Sequence, residues 1–128
     1  MRRETNGCGR ARSAVALLLV LTCLPLTAAA QSDAYASFED GNRLFRDNLY
    51  WAALLRYRQA ADAGLDTPLL HFNTGVAHYK AQQHIRARES LVRAAESAEL
   101  RAISHYNLGL NAWAAGNEEE AADWFRRA

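Results

Sequence analysis

The stretch GLNAWAAGNEEEAADWF, residues 109–125, decides the fold. Gly116 tolerates the left-handed backbone that closes a helix. Asn117 then offers a side-chain cap, and Glu118, Glu119 and Glu120 place carboxylates on the positive end of a new helix. Ala121 and Phe125 follow at the i, i+4 spacing of one helical face. The stretch therefore reads as two helices around a tight break.

Two earlier stretches line up with it, GVAHYKAQQHIRARESL at 75–91 and GNRLFRDNLYWAALLRY at 41–57, and the shift that carries 41 to 75 also carries 75 to 109. No gap is needed to align Gly41, Gly75 and Gly109, or Ala53, Ala87 and Ala121, or Ala60, Ala94 and Ala128. Tyr57, Leu91 and Phe125 form a large apolar column, and two further columns are aromatic: Phe38, Phe72, Tyr106 and Phe45, Tyr79, Trp113. Phe38, Asn42 and Phe45 recur at helical spacing, as do Ala53, Tyr57 and Ala60. The breaks fall at Asn48, Gln82 and Gly116, with Gln82 the least suited to a left-handed turn. Between units, Gly64 ends a helix and Thr67-Pro68 suits a cap followed by a first-turn proline. These signals predict an all-α chain of six antiparallel helices at 34–47, 50–63, 68–81, 84–98, 102–115 and 118–128. The glycine column lets the facing helix approach, the alanine columns are its small counterpart, and Tyr57, Leu91 and Phe125 fill the space between.

The chain resembles a tetratricopeptide repeat protein, whose pattern joins a glycine in the first helix to Ala-x-x-x-Phe in the second. Gly109, Ala121 and Phe125 match it, as do Gly75, Ala87 and Leu91, and Gly41, Ala53 and Tyr57. Ser37, His71 and His105 stand where the family has a large aromatic residue, and Leu65 and Glu99 where it has a closing proline. The resemblance implies a helical-hairpin solenoid, a right-handed superhelix of about three repeats at 34–67, 68–101 and 102–128. Ser37 and Asp40 suit a first repeat with a wet outer face. The third unit stops at Ala128, before the extension seen after Ala60 and Ala94. Trp124 and Phe125 are thus expected to lack a covering helix, and the chain reads as the N-terminal part of a longer protein, or else as one that self-associates through that end.

Residues 1–30 read as a secretory signal peptide. Arg2, Arg3, Arg10 and Arg12 form the basic leader, residues 14–24 the apolar run, and Ala28-Ala29-Ala30 the small-residue cleavage site. Thr22, Cys23, Pro25 and Thr27 interrupt the run, which argues against a membrane anchor and so against membrane insertion after cleavage. Cleavage after Ala30 predicts a periplasmic or secreted protein without its two cysteines, Cys8 and Cys23. With 15 Lys+Arg against 14 Asp+Glu, and four of the arginines in the leader, the remainder is slightly acidic. That charge argues against a nucleic-acid-binding domain, whose phosphate contacts need a basic stripe.

In the family, the first helices line a concave groove that holds a peptide or a partner's helix. The resemblance therefore implies a partner-binding surface of Phe38, Asn42, Phe45, Arg46, Phe72, Asn73, Val76, Tyr79, Lys80, Tyr106, Asn107, Leu110 and Trp113. The bland alternative is that the aromatics pack between neighbouring first helices. Some members clamp a terminal carboxylate. Asn42 and Asn73 suit the amide part, but Phe38, Ile103 and Asn107 stand at the cationic positions, so a clamp is not expected. Arg46 and Lys80 form a separate basic pair for an acidic ligand group. The histidines His71, His78, His84 and His105 lack the spacing of a helical zinc site, and no cofactor is expected. Ser104 beside His105 falls on a different helix face, and the sequence carries no phosphate loop, so no catalytic site is expected. The sequence is read as an exported scaffold that binds a protein or peptide. The rival readings are the recruiting arm of an enzyme or assembly machine, and a self-associating structural unit.

Overall fold

A computed structural model describes residues 31–128. The leader and its cleavage site lie outside the described residues. The described chain is all-helical, with α1 at 31–46, α2 at Tyr50–Asp62, α3 at Pro68–Lys80, α4 at His84–Ala94, α5 at Arg101–Ala114 and α6 at Glu118–Arg127. Each helix from α2 to α6 packs on the next, and α3 also touches α5. No strand occurs among the described residues.

The glycine column acts as expected. A Cβ on Gly41 would lie 2.5 Å from the Tyr57 ring, and one on Gly75 would lie 2.7 Å from Leu91 Cγ. The same addition at Gly109 would strike the Phe125 ring. The three pairs sit at equivalent places in the alignment, so one helix-to-helix approach occurs three times. Tyr57 and Leu91 are fully buried, as are Ala53, Ala60, Ala87, Ala94 and Ala121.

The breaks repeat as faithfully. Asn48, Gln82 and Gly116 all have positive φ, at 61°, 59° and 83°. At each, the left-handed residue's N–H bonds three residues back and the following N–H bonds five back. Leu49 donates to Leu44 at 3.0 Å, Gln83 to His78 at 2.9 Å and Asn117 to Ala112 at 2.9 Å. This is the paired hydrogen bonding of a Schellman motif, which satisfies carbonyls the helix end would leave unpaired. Gly64, at φ 96°, closes α2 in the same way. Thr67 caps α3 by accepting from the Leu70 N–H at 3.2 Å, with Pro68 in the first turn.

Two expectations need correction. Asn117 makes no side-chain cap bond. Its N–H already closes the preceding helix, and its ψ of 75° is far from the extended backbone of Thr67, at 148°. Helix α4 ends at Ala94, not at 98. Beyond it, Glu96, Ser97 and Leu100 bond three residues back, and the Arg101 guanidinium donates to the Ala95 and Glu96 carbonyls at 3.3 and 3.4 Å. The tighter winding and the borrowed donor replace a further turn of α-helix. At the C-terminal end, Trp124 finds cover within its own unit. It is half-buried and tilted against His105 with ring centroids 5.3 Å apart, whereas Phe125 lies against Tyr106 and Gly109 but stays 39% exposed.

Candidate functional site

Helices α1, α3 and α5 carry the residues that the sequence assigns to a binding surface, and the structure distributes them unevenly. Phe38 is only 5% exposed and packs on Tyr57, with ring centroids 5.9 Å apart. Its ring belongs to the core and has no surface to offer a partner. Phe45, Phe72, Val76 and Leu110 are half-buried. Tyr106 and Trp113 are exposed, Trp113 at 62%. Arg46 and Lys80 are exposed as well, and the Lys80 ammonium lies 5.7 Å from the centre of the Tyr79 ring.

The two amides that suit the amide part of a clamp meet each other. Asn42 Oδ1 accepts from Asn73 Nδ2 at 2.8 Å and from the Tyr57 hydroxyl at 3.0 Å. One carbonyl oxygen therefore ties α1, α2 and α3 together. Both of its lone pairs are used, so it has no capacity left for a ligand donor. Burial is the main cause that pushes the Tyr57 phenol up to about 12; Glu39 adds to the shift and Arg46 opposes it. Asn107 turns back on its own helix and donates to the Ile103 carbonyl at 2.8 Å.

Aromatic pairs bracket the breaks. Phe45 stands on Tyr50 at 5.4 Å, and at the equivalent place in the next unit Tyr79 stands on His84 at 6.4 Å. A cleft of about 250 Å³ opens beside the second pair, lined by Tyr79, Lys80, Gln82, His84 and Ala114. It brings a cation, two ring edges and an amide together at one end of the face. Asn111 holds its wall: the side chain is buried, its oxygen meets His84 Nδ1 at 2.9 Å, and its amide donates to the His84 carbonyl at 2.9 Å. Sequence reading missed Asn111, because a single polar residue on an apolar helix face gives no period to detect.

No group of histidines, cysteines or carboxylates among the described residues gathers as metal ligands would. Ser104 is fully buried and its hydroxyl has no hydrogen-bond partner, while His105 Nδ1 lies 3.1 Å from the Arg127 carbonyl. The neighbours in sequence do not meet as nucleophile and base.

A larger crevice lies on the other side of α3, between α2 and α4. It measures about 680 Å³, and its lining includes Trp51, Leu55, Arg58, Arg86, Ser90 and Arg93. None of these was singled out from the sequence. The available signal was the column Arg56, Ser90, Trp124, in which side-chain size changes sharply between units.

No family model matches the chain, and no curated protein matches it.

Proposed function

We propose that the chain is an exported, tetratricopeptide-type scaffold whose repeats span 34–67, 68–101 and 102–128, and that it binds a protein or peptide segment along the face formed by α1, α3 and α5. The observation that carries this reading is the threefold recurrence, at one fixed spacing along the chain, of the glycine approach and the Schellman break. Such a unit cannot bury its apolar face alone, and stacking sets its first helices side by side. Tyr79, Lys80, Tyr106 and Trp113 are the residues of that face best placed to touch a ligand, being exposed or lining the 250 Å³ cleft. The activity is binding, and no bond-making step is assigned to these residues.

Among the described residues no helix is long and apolar enough to cross a membrane. Export follows in this reading from the leader, and mass spectrometry of the mature protein should find Gln31 at or near its start. The binding activity is tested by selecting extended peptides on the immobilised chain and titrating the winners. Tyr79→Ala and Trp113→Ala should each weaken binding by about 1 to 3 kcal/mol if they are anchors, with the helical circular dichroism unchanged. Variants that keep full affinity, or that unfold, would remove the face from consideration.

A further inference from the structure

The pairs α3–α4 and α5–α6 align as successive units, and they differ on their outer face, where Ser90 of the first stands at the place of Trp124 in the second. On α6, the Trp124 ring lies tilted against His105, its indole N–H donates to Glu120 at 3.0 Å, and the Arg127 guanidinium lies 5.0 Å from the centre of its ring. Glu120 also reaches α4 through a 3.0 Å ion pair with Arg88. An aromatic ring and a carboxylate thus line the crevice of about 530 Å³ between α4 and α6, whose charged lining is net acidic, with Glu119, Glu120 and Asp123 against Arg88 and Arg127.

The equivalent crevice between α2 and α4 has lost both elements. Ser90 stands where the next unit has Trp124, so no ring covers His71, the counterpart of His105. Arg86 stands where the next unit has Glu120, and Leu54 where it has Arg88. What remains is the 680 Å³ groove, with buried Leu54 and Leu70 in its floor, the exposed Trp51 indole on one wall, and three arginines in its lining with no carboxylate. Asp66 lies at its edge, 2.6 Å from His71 and 3.5 Å from Arg93. Arg58 and Arg86 form no ion pair among the described residues.

We propose that this outer groove docks an acidic protein segment bearing an aromatic residue, with the ring entering beside Ser90 over His71 and the carboxylates meeting Arg58 and Arg86. Charge complementarity names the occupant's sign, and the neighbouring unit shows which side chains this geometry accepts. Residues 1–30, with Arg2, Arg3, Arg10 and Arg12 against Glu4, carry the wrong sign to fill it. A second copy is also a poor occupant, since its Glu120 and Trp124 are already engaged with Arg88 and His105.

The probe is a fluorescein-tagged, end-blocked peptide EEEAADWF, copied from residues 118–125, titrated with the full chain by anisotropy. Saturable binding is expected, at least about tenfold tighter than for QQQAANWF or EEEAADAA, a factor that corresponds to about 1.4 kcal/mol. Ser90→Trp, which rebuilds the neighbour's ring, and Arg86→Glu should each weaken binding tenfold or more with circular dichroism unchanged. Tyr35→Ala, an exposed ring that lines neither outer groove and lies outside the proposed binding face, should bind like the wild type. If Ser90→Trp fails to fold, the surface variant Arg86→Glu decides alone. No binding at about 1 mM probe, undiminished binding by Arg86→Glu, or loss in Tyr35→Ala would overturn the proposal. So would a dimer, seen by sedimentation of the chain alone, that Ser90→Trp dissolves, because the occupant would then be a second copy.

Discussion

Adding one methyl group at Gly75 tests the helix-to-helix approach most directly. Its Cβ would lie 2.7 Å from Leu91 Cγ, 3.0 Å from Leu91 Cδ2 and 3.1 Å from the Leu91 backbone nitrogen. Optimal carbon contacts are about 3.5 to 4.0 Å, so α4 must move away by several tenths of an ångström, and Leu91 is too buried to rotate aside. Overpacking of this kind costs about 1 to 3 kcal/mol, against a helix-propensity gain of about 1 kcal/mol for Ala over Gly. Gly75→Ala should therefore destabilise by about 0 to 2 kcal/mol. In a Leu91→Ala background the two closest atoms are gone, while the backbone nitrogen stays 3.1 Å away. There the new methyl partly refills the cavity, and the propensity gain emerges, so the same substitution should stabilise by about 1 kcal/mol. The change of sign is the prediction. Urea titrations of all four proteins give the coupling energy, with trimethylamine oxide added equally if Leu91→Ala, expected to cost about 2 to 5 kcal/mol, is too unstable alone. An effect of Gly75→Ala that is the same in both backgrounds would refute the approach proposed for this column.

Three further outcomes follow from the geometry. Gln82→Gly should raise stability by about 1 kcal/mol, hence Tm by about 4 to 8 °C, because it relieves a side chain held at φ 59°; thermal melts check it. Burial, opposed by the Gln83 hydrogen bond, lowers the pKa of His78 below 6.5, so the unfolded chain takes up its proton first as pH falls. That stability is present above about pH 6.5 and lost as pH drops through the folded value, and His78→Gln should flatten the acid limb of a stability-against-pH curve relative to wild type. Tyr57 works at the other end: with its phenol raised to about 12, stability should fall between about pH 10 and 12 as the unfolded chain loses its proton. Tyr57→Phe should remove that fall and cost about 1 kcal/mol at neutral pH for the lost bond to Asn42, both readable from denaturant midpoints.

The candidate face was legible only in outline. Its aromatic columns carry a helical period, and that period says which side of a helix faces inward. It does not say how deep each ring sinks. Phe38 vanishes beneath Tyr57 while Trp113, two units along its neighbouring column, stands in solvent, because depth depends on what the adjoining helix presents at that height. Asn42 and Asn73 looked like free amides and turned out to be each other's partners, a bond between helices of different units. The outer groove left only one trace in the sequence, the column Arg56, Ser90 and Trp124: Ser90 is ordinary by itself, and its smallness matters only against the ring that Trp124 puts in the same place.

The sequence by itself determined the helices, their breaks and the pairing of Gly41 with Tyr57, Gly75 with Leu91 and Gly109 with Phe125. These rest on local backbone preference and on size matching between nearby helices of one hairpin, both of which recur in every unit. Even Gln82, poorly suited to its turn, adopts the left-handed conformation, since the paired hydrogen bonds and the flanking helices outweigh a cost of about 1 to 2 kcal/mol. Only the tertiary structure decided which polar atoms are spent internally, where α4 stops, and where apolar and cationic surface is left uncovered. Those outcomes depend on the relative height and spacing of helices distant in the chain, set by the packing of whole faces, and no local stretch of residues encodes them.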